Sequence, residues 1–180
     1  MKIIFNKSSL FILTFLLFNS CKHNVQEDRP DSSAERNKRK EAFIRVNRYV
    51  IARNEDLIDR FVERTGWNMK KTDTGLRYEI YSTGHGTPAE TGNIIRYSYT
   101  ARLLDGTFCD SVPADTPSTI KIGQGGVASG LEEAFLLLRE GDRARLIIPP
   151  HLGQGNSGDG GKYPPGAIIL YDVLLNRVEN

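Results

Sequence analysis

The chain has 180 residues, with 24 Lys and Arg against 22 Asp and Glu, and its formal net charge of +2 gives no general argument for nucleic-acid binding. A hydrophobic content of 39% and 17 glycines suit one compact, turn-rich domain with an appendage. The three histidines, His23, His85 and His151, lie far apart without ligand spacing, so neither a metal site nor a cofactor is expected.

Lys2 and Lys7 lead into an apolar run, Leu10 to Phe18, too short to span a bilayer but suited to a signal-peptide core. It ends in "LLFNSC", where Ser20 before Cys21 resembles the lipobox of bacterial lipoproteins; Phe18 and Asn19 depart from the commonest residues there. That resemblance implies cleavage after residue 20 and a diacylglyceryl group on the Cys21 thiol. It implies an envelope protein, lipid-anchored, at the outer membrane facing the periplasm. The plainer alternative is a secretory signal with a chance cysteine. Each buried CH₂ contributes about 0.8 kcal/mol, so two or more acyl chains anchor firmly. Cys109 is then left without a disulfide partner in the chain. It is expected to be a small buried hydrophobe, since no His near it in sequence supplies a base.

Residues 22–31 are polar, contain Pro30 and read as a tether. Residues 32–66 read as a helical segment, either one long helix over about 34–64 or two shorter ones. Ser32 with Glu35 is a capping-box pattern, and Thr65-Gly66 a stop. Phe43, Val46, Val50, Leu57 and Phe61 share one face, widened by Ile51, Ile58 and Val62. That stripe suits packing on the chain's own sheet or on a second copy, and a homodimer through this helix is one expectation. The basic cluster Arg36 to Lys40 sits among acids and reads as a solvated helix start.

From Trp67 the period turns to alternation. "GLRYEIYS" places Leu76, Tyr78 and Ile80 on one face. "NIIRYSYTARLL" does the same for Ile95, Tyr97, Tyr99, Ala101 and Leu103, before an Asp105-Gly106 turn. "STIKIG" is a third strand; "RARLIIPP" and "GAIILYDVLLNRV" are the last two. Between them "ASGLEEAFLLLREGD" reads as a helix capped by Ser129 with Glu132 and stopped at Gly141. Five strands and one short helix imply an α+β domain over residues 67–180, a twisted antiparallel sheet closed by the helix. "GQGNSGDGGK" shares only its glycines with a phosphate loop, lacking the strand-then-helix context.

The succession "YTARLLDGT", a following Asp, "GLEEA", "IPP", a glycine-rich loop and "PPGAIILYDVLL" resembles the FKBP-type peptidyl-prolyl cis-trans isomerases over residues 75–179. With the lipoprotein signal and helical leader it is similar to the gliding-motility-associated bacterial branch. The resemblance implies a five-stranded antiparallel half-barrel around a short helix. It also implies X-Pro bonds of proline-containing polypeptides as substrate and folding of exported or envelope proteins as the role. By motif, Tyr99, Asp110, Val127, Ala128, Leu131 and Tyr171 take the catalytic pocket positions, with the Ala128 N–H donating to a substrate carbonyl. Cys109, Gln154 and Tyr163 take further substrate-binding positions. Cys109, Ser118 and Gln154 stand where the family usually has aromatic residues, and no Arg follows Asp110 to pair with it. Alternation argues against Phe108 and Cys109 both facing inward. These losses imply weak turnover, or a non-catalytic chaperone or binding module with a degenerate pocket.

Overall fold

The computed structural model describes residues 32–179. The signal segment, the tether, Cys21 and His23 lie outside that span. The chain divides into two compact units, residues 1–42 and 43–180. In the first, the described residues open helix α1, Ser33–Thr65. The expected capping box forms: Glu35 N–H donates to Ser32 Oγ and Ser32 N–H donates to the Glu35 carboxylate, each at 3.2 Å.

In the second unit α1 continues as one helix. Its apolar stripe splits in two. Near the C-terminal end Ile58 and Phe61 are buried with Ile147 and Ile168, and Val62, Trp67, Met69 and Leu170 pack around them. Further back Phe43, Val46, Tyr49 and Ile51 stay exposed, Phe43 at 66%. Gly66 ends the helix at φ 68°, with its N–H on Val62 O at 3.0 Å.

The sheet that follows is antiparallel throughout, in the order β1-β2-β6-β7-β3-β4, with β5 also pairing β3. Its strands are β1 Lys70–Lys71, β2 Arg77–Ser82, β3 Ile94–Leu103, β4 Phe108–Val112, β5 Ser118–Lys121, β6 Arg143–Ile148 and β7 Ile169–Glu179. All five expected strands are present. Two short ones, β1 and β4, join the sheet without having been read from the sequence. Helix α2, Ser129–Phe135, lies on one face, where Leu131, Ala134 and Phe135 pack with Tyr97, Ala101, Leu146, Tyr171 and Val173. Phe135 is fully buried, with its ring 4.7 Å from that of Tyr97; burying a side chain of that size stabilises by about 1.5–3 kcal/mol.

The α2 region corrects two expectations. The helix stops at Phe135, well short of Gly141, and its N-cap is Ala128 with no side-chain cap. Ser129 Oγ donates instead to Leu152 O at 3.3 Å, and the Glu132 carboxylate accepts from Gly123 N–H at 2.6 Å. Beyond Phe135 the chain tightens, with Leu137 N–H on Ala134 O and Leu138 N–H on Phe135 O. Asp142, only 1% exposed, then accepts the N–H groups of Gly84 (2.6 Å) and Arg139 (2.8 Å). Tertiary hydrogen bonds thus claim both the predicted cap and the last turns, and override a local helix propensity that differs by only tenths of a kcal/mol per residue.

Candidate active site

The concave face of the sheet and the entry to α2 meet at a group of phenols. Tyr99 on β3 and Tyr171 on β7 stand edge to face, with centroids 5.3 Å apart at 64°. Tyr97 stacks on Tyr99 at 6.0 Å. Leu131 is buried at the start of α2, and Val127 packs against the same core cluster. Ala128 has φ −58° and ψ 140°; its carbonyl accepts from Leu131 and Glu132 N–H. Among the described residues no acceptor meets its own N–H, which leaves that donor available to a bound carbonyl.

Asp110 reaches this group because β4 is irregular. Ala101 pairs with Asp110 but Arg102 pairs with Phe108, so Cys109 is the extra residue of a bulge. Phe108 is exposed and lies under the Arg102 guanidinium, 5.7 Å from its ring centroid. Cys109 and Asp110 both become half-buried on the concave side. Alternation kept Phe108 out, and the bulge let two successive residues in. Burial pushes the Cys109 thiol up from its ordinary pKa, and its Sγ donates to Thr107 O at 3.7 Å while the side chain packs against the core cluster. A thiol held protonated in this way lines the wall of the site.

Tyr99 hydroxyl donates to Asp110 Oδ2 at 2.9 Å, and Lys162 Nζ donates to Oδ1 at 2.7 Å. Lys162 was missed in the sequence. The family resemblance points to an Arg soon after Asp110, whereas the partner comes from the glycine-rich loop 52 positions on. Burial raises the Asp110 pKa, but hydrogen bonds from Lys162, Tyr99 and Ser111 N–H outweigh it and hold the carboxyl below its ordinary value. The pair is partly exposed, with side-chain accessibilities of 59% for Lys162 and 21% for Asp110. Such pairs contribute about 1 kcal/mol or less to stability, so its effect is chiefly to orient the carboxylate.

The loop that carries Lys162 is built for that placement. Asp159 Oδ1 accepts Gly161 N–H (2.9 Å) and Tyr163 N–H (2.8 Å). Gly158 sits at φ +66°, where a Cβ would meet Tyr163 O at 2.3 Å. Tyr163 is buried, and its hydroxyl accepts from Tyr171 at 3.3 Å. Burial first, then the crowded phenols and Asp110, raise all three phenols, Tyr171 to about 12. They are neutral donors at any working pH. Ser118 pairs with Tyr97 across β5 and β3, and its hydroxyl meets that phenol. Gln154 is half-buried early in the loop and makes no hydrogen bond to the tyrosine network. His151 is turned away, with Nε2 2.8 Å from Thr74 O.

Residues 86–176 match the family model described as FKBP-type peptidyl-prolyl cis-trans isomerase. The chain is 38% identical over 105 residues to an FK506-binding protein of Neisseria meningitidis, covering 58% of this chain and 96% of that one. It is 36% identical over 111 residues to a probable FKBP-type isomerase FkpA of the same species, 61% of this chain and 40% of the relative. Against bovine FKBP9 the match spans only 16% of the relative's length. Among solved structures, AtFKBP13 superposes with TM-score 0.57 at 27% identity, over 61% of this chain and 97% of its own. FkpA from Escherichia coli gives 0.62 at 23% identity, over 98% and 84%, a likeness of fold.

Asp110 is stabilised as the anion, so its contribution is full above the unfolded carboxylate value near pH ~4 and is lost as pH falls through its lower folded value. In Lys162→Gln that loss begins at higher pH. A carboxyl ¹³C titration of Asp110 should show the midpoint moving upward; an unchanged midpoint would mean that the lysine does nothing for the carboxylate.

Proposed function

Because the chain belongs to the FKBP-type peptidyl-prolyl cis-trans isomerase family, we propose that it turns X-Pro bonds between cis and trans in polypeptides folding in a bacterial envelope. The observation that carries this reading is the relay Lys162–Asp110–Tyr99, set beside the unpaired N–H of Ala128. The uncatalysed rotation faces a barrier of roughly 20 kcal/mol because amide resonance is lost on twisting. No bond is cleaved, so no nucleophile is required. Tyr99, Tyr171 and Leu131 grip the proline ring and fix its orientation. The surroundings keep water from the amide oxygen, whose charge is greatest when the bond is planar, and this favours the twisted form. Ala128 N–H holds the preceding carbonyl. Asp110 keeps the Tyr99 hydroxyl in place and transfers no proton.

Cys109, Ser118 and Gln154 present less ring surface to a substrate than aromatic side chains would. They support slow turnover, and they are the ground for the second reading, a chaperone or binding module on the same fold. A protease-coupled assay on a Phe-Pro peptide, with the fragment beginning at Ser32, separates the two. The enzyme should exceed the spontaneous rate, and Asp110→Ala should lower kcat/KM about tenfold, equivalent to ~1.4 kcal/mol. Suppressed client aggregation with no rate enhancement would favour the second reading.

The exposed stripe of Phe43, Val46 and Leu57 is the surface we assign to a second copy of the chain, since apolar patches of this kind mark interaction sites. Sedimentation should give a dimer that Val46→Glu converts to a monomer; a wild-type monomer at tens of micromolar would remove the assignment. The lipid anchor belongs to the same reading: palmitate incorporated in cells should disappear in Cys21→Ser, and labelling that persists would place the lipid elsewhere or nowhere.

A further inference from the structure

The strands that carry the tyrosines present a second, separate surface on their other face. There the end of α1 covers Ile147 and Leu170, and beside it a cavity of about 530 Å³ remains open, within the range of small-ligand and short-peptide sites. Its walls include Trp67, Tyr81, Arg102, Arg143, Arg145 and Asp172. Arg145 is clamped between two rings, 4.6 Å from the centroids of both Trp67 and Tyr81, and its charge is matched by Glu79 at 3.2 Å. Tyr81 hydroxyl donates to Asp172 at 2.7 Å, and Arg143 lies beside that hydroxyl. The central charges are therefore already committed.

Two guanidiniums lack a carboxylate: Arg102 donates to Gly106 O at 3.1 Å and lies over the Phe108 ring, and Arg143 stands beside the Tyr81 hydroxyl. Among the described residues neither Arg143 nor Arg102 has a carboxylate within ion-pair distance, and both are exposed. Arg143 lies opposite Leu174 on β7 and Arg102 opposite Leu170. That is four residues along one strand, about 13 Å at the usual rise. Leu170 and Leu174 flank Asp172, which lies midway between them opposite Thr100 on β3 and Arg145 on β6. The floor is thus polar at its centre, where Tyr81 holds the Asp172 carboxylate, aromatic on one wall, and cationic at both ends. A folded partner's flat surface does not fill such a trough. An extended chain does, with side chains alternating between floor and solvent.

We propose that this face binds an extended, acidic polypeptide segment with its carboxylates on Arg143 and Arg102. Charge-assisted, two-pronged carboxylate contacts are what guanidiniums without a carboxylate partner favour. The segment needs no proline, so this site is independent of the isomerase reading. A client held here lies across the sheet from the tyrosines, on the same two strands.

Trp67 is the chain's single tryptophan, and it lines this cavity, to which Tyr99 and Tyr171 contribute from the shared strands. Its emission therefore reports this face of the sheet together with the α1 end that packs on it. The test titrates the fragment beginning at Ser32 with the proline-free peptide acetyl-Glu-Phe-Gly-Asp-Glu-amide, and with a version carrying Lys at each acidic position. Amide and indole ¹⁵N shifts are followed in parallel. The acidic peptide should give a saturable change, with shifts at Thr100, Arg102 and Asp172. The Lys peptide and the Arg143→Glu variant should each bind about tenfold or more weakly, the loss of one charge-assisted contact, and Arg143→Lys should recover part of the difference. Four outcomes would overturn the proposal. They are no saturable change in either signal to millimolar peptide, equal binding of the two peptides, saturation by orthophosphate at the same concentrations, and a Trp67 signal that in Val46→Glu still follows protein concentration without peptide, which would mean that a second copy fills the trough.

Discussion

One extra residue in β4 determines what the concave face can do. Without the bulge at Cys109, strict alternation would place either Cys109 or Asp110 toward the tyrosines, never both. With it, the thiol fills space beside the core while the carboxylate arrives at the Tyr99 hydroxyl. Everything polar in the pocket then follows. A carboxylate brought against three phenols requires a compensating cation, and the glycine-rich loop delivers Lys162 from the far side. The loop in turn requires the Asp159 turn and a glycine at 158, because a Cβ there has nowhere to go.

The same order of causes explains why the site keeps its polar groups neutral or paired. Three phenols in a partly dry space are expensive to ionise, and burial dominates the rise in each pKa. Tyr171 shares its hydrogen with Tyr163, and Tyr99 gives its own to Asp110. Buried hydroxyls left unpaired would cost roughly 1–3 kcal/mol each. Pairing Tyr171 with Tyr163 and Tyr99 with Asp110 leaves the Ala128 N–H without an acceptor among the described residues. That is a sparse chemistry. It suits a reaction in which a bond turns and none breaks.

Much of this was legible in the chain because hydrophobic period reports burial. The long strands and the place of the short helix follow from alternation and period, and the order of motifs that resembles the family singles out Tyr99, Asp110, Leu131 and Tyr171, which the fold brings to one face. What escaped was whatever depends on partners distant in sequence. Ser129 and Glu132 have the spacing of a capping box, but Leu152 and Gly123 compete for them across the fold. Lys162 lies in a loop whose composition suggests only flexibility. The Phe108–Cys109 ambiguity rested on a bulge, which has no periodicity to detect. The division of the α1 stripe was equally hidden: Ile58 and Phe43 are alike in hydropathy, and only tertiary packing buries the first and leaves the second in water.

A curved sheet with one helix in its hollow has to leave its outer face to something else. Here α1 takes only part of that face, through Ile58 and Phe61. The remainder is built unlike an ordinary solvated surface. An arginine held between two aromatic rings loses side-chain entropy that a free surface residue would keep, and the Glu79–Arg145 pair with the Tyr81–Asp172 bond fixes its neighbours as well. Rigid polar groups flanked by Leu170 and Leu174 lower the ordering cost of any chain laid upon them. The alternation that sends Tyr99 and Tyr171 inward sends Thr100, Arg102, Leu170 and Asp172 outward, so the sheet that shapes the tyrosine pocket sets the geometry of its reverse side too.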